Sequence, residues 1–229
     1  MQLFCFTYAG GTAEFYDMFN NKLNKDIEVV AFDYAGSGKR FKEPFYKDFD
    51  ELSNDMYEKV KDNLNGDYFL FGYSMGSLVL AKVLELIINK KEIPLPKCVF
   101  LNAHEPKPKS EIRDIKGDEL DEIIKKHTLK FGGIPKELIK NKSFWRMYLP
   151  IYRSHFTLLH NFDFKFNFKT SVPAVICYSE SDIKREDILL WNNFFIGTVE
   201  YNGLMGNHFF IKDHTQFICD LINTKLIEV

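Results

Sequence analysis

The chain has 229 residues, 45% hydrophobic and 16% aromatic, with 30 Lys and Arg against 32 Asp and Glu and a net charge of −2. That balance leaves no basic excess to hold nucleic-acid phosphates, and so much apolar residue excludes a disordered chain. No uninterrupted apolar run approaches the ~20 residues that span a bilayer, and the length suits one α/β domain better than two.

In chain order, strand and helix patterns alternate. Met1 runs almost directly into Leu3-Phe4-Cys5-Phe6, the first predicted strand, which ends at Gly10-Gly11. With no secretory leader ahead of it, this start predicts a cytoplasmic protein. Thr12 is placed to cap a helix with Phe15, Met18, Phe19 and Leu23 on one face. Glu28 to Phe32 is a second strand, followed by the loop Asp33-Tyr34-Ala35-Gly36-Ser37-Gly38. Leu52, Met56, Val60 and Leu64 step by four and predict an amphipathic helix. Tyr68 to Phe71 is apolar at every position, the pattern of a strand covered on both faces. The helix from Ser77 to Asn89 is apolar nearly all round, with Lys82, Glu85 and Asn89 as a narrow polar stripe. Cys98–Leu101, Val172–Tyr178 and Thr198–Tyr201 are further strands, and a last helix directs Phe217, Ile218, Leu221 and Ile222 inward.

Roughly seventy residues between Leu101 and Val172 carry no convincing strand. Asp118 is placed to cap a helix that Gly132-Gly133 ends. Pro135 opens a second helical segment, Pro150 interrupts it, and Ile151 to Phe162 reads as a third. An excursion of this size between sheet strands predicts a helical lid at about 106–170 within a single domain spanning 1–229. Four cysteines, Cys5, Cys98, Cys177 and Cys219, lie too far apart in sequence for metal-knuckle spacing and read as small buried hydrophobes.

The sharpest chemical signal is Gly72-Tyr73-Ser74-Met75-Gly76, between a buried strand and a buried helix. In that context G-x-S-x-G is a nucleophile elbow, with Ser74 on a tight turn above a helix N-terminus. The expected chain order is Ser, then an acid, then His. Of six histidines, His208 follows the last strand in a loop and is the candidate base, ahead of His214, which opens the final helix. Two acids stay open from the residues alone: Asp182, four residues past Tyr178, and Glu105, just past Leu101. The oxyanion donors are predicted to be the backbone N–H groups of Met75 and of Ala9, in the glycine-bearing loop Tyr8-Ala9-Gly10-Gly11. The rival phosphate-loop reading of Gly10-Gly11 lacks both a following Lys in Walker spacing and the third glycine of G-x-G-x-x-G. His155 and His160 have no carboxylate at ligand spacing, so no metal is expected.

Several segments together resemble one family, the type II thioesterases that accompany non-ribosomal peptide and polyketide synthases. Phe6-Thr7-Tyr8-Ala9-Gly10-Gly11 is similar to its F-P-H-A-G-G opening. Ala35-Gly36-Ser37-Gly38-Lys39-Arg40-Phe41-Lys42-Glu43-Pro44 is similar to P-G-R-G-x-R-x-x-E-P, and Phe71 to Gly76 to F-G-H-S-M-G. Gly132-Gly133-Ile134-Pro135, Leu149 to Phe156, and Gly206-Asn207-His208-Phe209-Phe210 resemble G-G-x-P, L-P-x-x-R-A-D-F and G-G-H-F-F. The departures include Tyr8 and Tyr73 where the family has His, Thr7 for Pro and Ser37 for Arg.

The resemblance implies an α/β-hydrolase fold, a mostly parallel sheet with helices on both faces and an inserted helical lid. It implies a cytoplasmic hydrolase, with Ser74, Asp182 and His208 as triad, that removes acyl groups from phosphopantetheine thioesters on acyl- or peptidyl-carrier proteins. It favours Asp182 as the acid, while related integrated thioesterase domains keep Glu105 in play. The expected protein is a monomer needing no cofactor, with a transient carrier partner and no nucleic-acid or membrane partner. The other readings are a small-ester carboxylesterase, or an acyltransferase or cyclase using the same triad.

Overall fold

Six short apolar runs pair as one sheet in the computed structural model, which describes residues 1–107, 118–132, 134 and 136–228. The strands are β1 (Gln2–Phe6), β2 (Glu28–Phe32), β3 (Tyr68–Tyr73), β4 (Cys98–Asn102), β5 (Ala174–Ser179) and β6 (Val199–Leu204). Their order is β2-β1-β3-β4-β5-β6, and each pairing is parallel. The helices are α1 (Phe49–Asn63), α2 (Met75–Lys90), α3 (Asp118–Phe131), α4 (Lys142–Asn161), the single turn α5 (Arg185–Ile188) and α6 (Thr215–Ile227).

Strand alternation divides the core between the two faces of the sheet. Phe4, Phe6 and Leu70 pack with Leu52 and Met56 of α1 and Leu78 of α2. Leu3, Cys5, Phe69 and Phe71 pack on the other face with Tyr16, Phe19 and Ile218. All four cysteines are buried free thiols within this packing. This is the expected α/β-hydrolase architecture.

The chain leaves β1 for β2 on one side, and β3 returns to pair on the other. The loops after β1 and β3 therefore diverge at a topological switch point, where a crevice opens at the carboxyl ends of the strands. The register sets Phe6 beside Gly72 and Tyr73 beside Asn102, so three strand ends converge there.

Several local expectations are corrected. The segment after β1 is a 3-10 turn, Ala13–Phe19, and the Thr12 side chain caps nothing. The Ala13 N–H is taken instead by Asp33 Oδ1 at 2.7 Å, which ties the loops after β1 and β2 together. The polar stripe of α2 is not open to solvent at Glu85, which is buried and accepts from the Asn167 N–H. Phe217 faces solvent, while Ile218, Cys219 and Ile222 turn inward. Pro150 does not divide the second and third predicted helices: α4 runs through it without a break. The roles expected of the Asp118 side chain, Gly133 and Pro135 lie outside the described residues, as does the stretch 108–117.

Candidate active site

The turn from β3 into α2 forces Ser74 into a conformation that few residues with a β-carbon adopt, φ 55° and ψ −120°. Two glycines make the turn possible. A β-carbon at Gly72 would overlap the Gly76 carbonyl, and one at Gly76 would overlap the Phe6 carbonyl of β1. The strain is held by bonds to β4. Ser74 N–H donates to the Asn102 carbonyl at 2.8 Å. Ser77 Oγ accepts from Asn102 N–H at 2.8 Å, and Asn102 Nδ2 donates to the Gly72 carbonyl at 2.9 Å. Neither Ser77 nor Asn102 stood out in the sequence, because their partners lie on another strand.

His208 lies in the loop after β6, with Nε2 at 2.9 Å from Ser74 Oγ and Nδ1 at 2.6 Å from Asp182 Oδ2. All three side chains are buried or nearly so. The loop bearing Asp182 turns directly after β5, where the Asp182 N–H donates to the Ser179 carbonyl at 3.0 Å. The structure therefore brings together the predicted nucleophile, base and one of the two candidate acids. Glu105 is buried elsewhere, with Oε2 at 3.9 Å from His104 Nδ1. His214 stands at the N-terminal end of α6 without a side-chain cap bond, and its Nε2 bonds the Met205 carbonyl at 2.8 Å.

Tyr73, one of the departures from the family pattern, has a visible role. Its hydroxyl donates to the His208 carbonyl at 2.6 Å and so anchors the histidine loop to β3. Burial pushes its own pKa up, which keeps the phenol a donor. Arg40, in the second family-like segment, is structural: it bonds Asp55 of α1 at 2.6 Å and pairs with Glu43.

The N–H groups of Ala9 and Met75 have no acceptor among the described residues. Ala9 lines a cavity together with Ser74 and His208, and the Met75 N–H begins α2. Two free donors beside the serine, one at a helix N-terminus, suit an oxygen that gains negative charge. The cavity's far wall comes from the helical segment: Phe131 of α3 and Tyr148, Tyr152, Phe156 and His160 of α4. The four α4 rings, with Phe144 ahead of them, stack at i,i+4 spacing into one ladder. Phe131 also reaches the His208 ring, 4.5 Å between centroids.

Comparison with known proteins gives the family and the fold. The family pattern described as Thioesterase domain matches residues 1–226. The chain is 29% identical to the medium-chain S-acyl fatty acid synthase thioesterase of Rattus norvegicus, covering all of this chain and 88% of that one. It is 27% identical to a Brevibacillus parabrevis protein named linear gramicidin dehydrogenase LgrE, covering 98% and 87%. The fold superposes on the crystal structure of ClbQ from the colibactin NRPS/PKS pathway with a TM-score of 0.88 at 20% identity, covering 99% of this chain and 97% of that one.

Proposed function

Because the chain belongs to the thioesterase domain family, we propose that it is a serine-type hydrolase of the type II class that clears acyl groups from phosphopantetheine thioesters on a carrier protein. The observation that carries this reading is the unbroken relay from Ser74 through His208 to Asp182, opening into a cavity walled by aromatic rings. Ser74 attacks the thioester carbonyl while His208 Nε2 takes the hydroxyl proton. Asp182 orients the imidazole and stabilises its charged form. Met75 and Ala9 donate their N–H groups to the tetrahedral oxyanion. Collapse expels the pantetheine thiol, which leaves with the proton from His208. A water then gives His208 its proton and attacks the acyl-enzyme; collapse releases the carboxylic acid, and His208 returns the proton to Ser74 Oγ.

The segment 106–170 acts as the lid of a single domain spanning 1–229. It also carries the charge that favours a carrier over a free ester. From Ile123 to Met147 there are seven Lys and Arg against one Glu, in a chain whose net charge is −2. Lys126, Lys130, Lys140, Lys142 and Arg146 are exposed, and none pairs with a carboxylate among the described residues. Lys142 and Arg146 even sit in the first turns of α4, where the helix dipole disfavours cations. A phosphopantetheine arm brings a phosphodiester, and its carrier a whole surface, to such a face.

The Brevibacillus relative's name describes an oxidoreductase, but the loop after β1 here lacks the third glycine of a dinucleotide fingerprint. No helix among the described residues is long and apolar enough to cross a membrane. The reading is of a cytoplasmic monomer that meets its carrier transiently.

The test compares kcat/KM for one short acyl group on a carrier protein, on coenzyme A and on a simple ester. Remote binding energy from the carrier raises kcat/KM for the first, and high salt erodes that advantage. Equal values, or a preference for the ester, replace the carrier reading with the small-ester carboxylesterase. Transfer of the acyl group to an added amine or alcohol in place of water marks the acyltransferase or cyclase.

A further inference from the structure

Among the described residues, a hydrogen bond joins the helical segment to the loop after β1. The Gly10 N–H donates to His155 Nδ1 of α4 at 2.9 Å. His155 is fully buried, with its ring edge-on to Tyr34 at 5.4 Å between centroids. A neutral imidazole that accepts at Nδ1 carries its proton at Nε2, and Nε2 has no hydrogen-bond partner among the described residues. Desolvation keeps the ring neutral, its pKa lowered to about 4. A buried donor without an acceptor is destabilising, so an apolar side chain would pack this position better. What the imidazole offers, and an apolar side chain does not, is an acceptor for Gly10.

The neighbours of that bond give it weight. Gly10 has φ +83°, and a β-carbon there would come within 2.6 Å of the Tyr148 hydroxyl and 2.7 Å of the Tyr152 ring. The loop is thus seated against three successive turns of α4. Within it, the Gly11 N–H is engaged by the Tyr8 carbonyl at 2.9 Å and the Gly10 N–H by His155. The donor left facing the cavity beside Ser74 is Ala9.

We propose that His155 is a positioning residue for the oxyanion site: by accepting from Gly10 it holds the Tyr8–Gly11 loop so that the Ala9 N–H meets the carbonyl oxygen being attacked by Ser74, and it makes the seating of α4 a condition of transition-state stabilisation. This rests on the reading of Ser74 as nucleophile and Ala9 as donor. It gives α4 a second role besides walling the acyl cavity. A substrate that lifts the helix from the loop also withdraws a donor from the oxyanion.

The test uses His155→Leu, which fills the space without an acceptor, and His155→Asn, whose Oδ1 replaces Nδ1. Losing an oxyanion donor outright costs about 10²–10³ in kcat, and a misplaced donor should cost ~10–100-fold. His155→Leu is expected to lower kcat by that factor with KM within twofold, at a melting temperature within a few degrees of the wild type, since it removes the unpaired Nε2–H but leaves the Gly10 N–H without its acceptor. Its affinity for a trifluoromethyl ketone, which forms a hemiketal oxyanion on Ser74, should fall in parallel, while affinity for the matching methyl ketone holds. His155→Asn should recover most of the loss in both. Unchanged kcat in His155→Leu, an effect confined to KM, or equal losses in the Leu and Asn variants would overturn the inference. Labelling of wild-type Ser74 by a fluorophosphonate separates the premises. If Ser74 is not labelled, the triad reading fails and the inference with it. If it is labelled and His155→Leu keeps full kcat, only the role of His155 fails.

Discussion

Around Ser74, hydrogen bonds of 2.8–2.9 Å run from the elbow to β4, and the histidine loop is pinned to β3 through Tyr73. Along α4, the stacked ladder from Phe144 to His160 works together with an Arg153–Asp121 ion pair to α3 and the bond from His155 to the loop after β1. The sheet edge is over-determined by polar bonds in a parallel scaffold, so removing one group there should subtract chemistry and little else. The helical segment leans more on packed rings, so most of its substitutions should move stability and geometry together. Substitutions on the two sides should therefore fail in different ways.

The largest effects belong to the sheet edge. Ser74→Ala is expected to lower turnover by roughly 10⁶-fold, the scale seen when a triad serine is removed, with an unchanged melting curve. Asp182→Asn should lower kcat by ~10⁴-fold, since the imidazole loses the carboxylate that orients it. Glu105→Gln should cost far less, because Glu105 is buried beside His104 and not at His208. Reversed magnitudes for the two acid variants would mean that the working acid lies one strand earlier.

These residues are also where the sequence was legible. The elbow and the histidine after the last strand obey short-range rules, a strand, a glycine-bearing turn, a helix start, whereas the residues alone leave two acids open and the fold sets Asp182 at His208. Five of the six strands and the apolar helix α2 announce themselves by composition, with β6 the weaker case. The helical segment is harder to read for a physical reason. Pro150 looks like a boundary because the penalty it imposes is local, while the ladder that carries α4 through it is assembled by i,i+4 stacking and by contact with the loop after β1. The Gly10–His155 bond spans 145 residues, and no window of sequence contains both partners. Thr12 shows the same limit at smaller scale, since Asp33 from the loop after β2 supplies the acceptor that a capping residue normally would.

On the helical side, His155 should leave a signature in acid. Buried and neutral, it titrates at about 4 in the folded chain, against about 6.5 when unfolded. Between those values the unfolded chain binds more protons, so stability present above pH ~6.5 drains away as the pH falls toward 4 and levels off below it. The full window is worth about 3 kcal/mol. Denaturant melts at a series of pH values, run on the wild type and on His155→Asn, isolate this contribution from the carboxylates. Parallel pH curves for the two proteins would show that the imidazole is solvated and that α4 does not seal the loop.

The smallest predicted effect is also the most direct probe of how α4 is held. Pro150 is exposed and lies inside the helix, between Tyr148 and Tyr152, the two rings that touch Gly10. It lacks the N–H that would bond the Arg146 carbonyl one turn earlier, and in a straight helix such a proline costs up to about 3 kcal/mol relative to Ala. Part of that cost is relieved where a helix bends at a proline on its exposed side, with its convex face outward, and Pro150 is exposed. Pro150→Ala should therefore stabilise the protein by roughly 1 kcal/mol, a rise of about 2–4 °C in Tm for a chain of this size. A bend at Pro150 would, however, help the rings on the inner face follow the cleft. Straightening it should draw Tyr152 and His155 slightly off the loop after β1 and lower kcat by a few-fold while Tm rises. A variant that gains stability at full kcat would show that the ladder sets the curvature unaided. One that loses stability would show that the proline ring itself packs into the seam, making the helical segment as over-determined as the sheet edge.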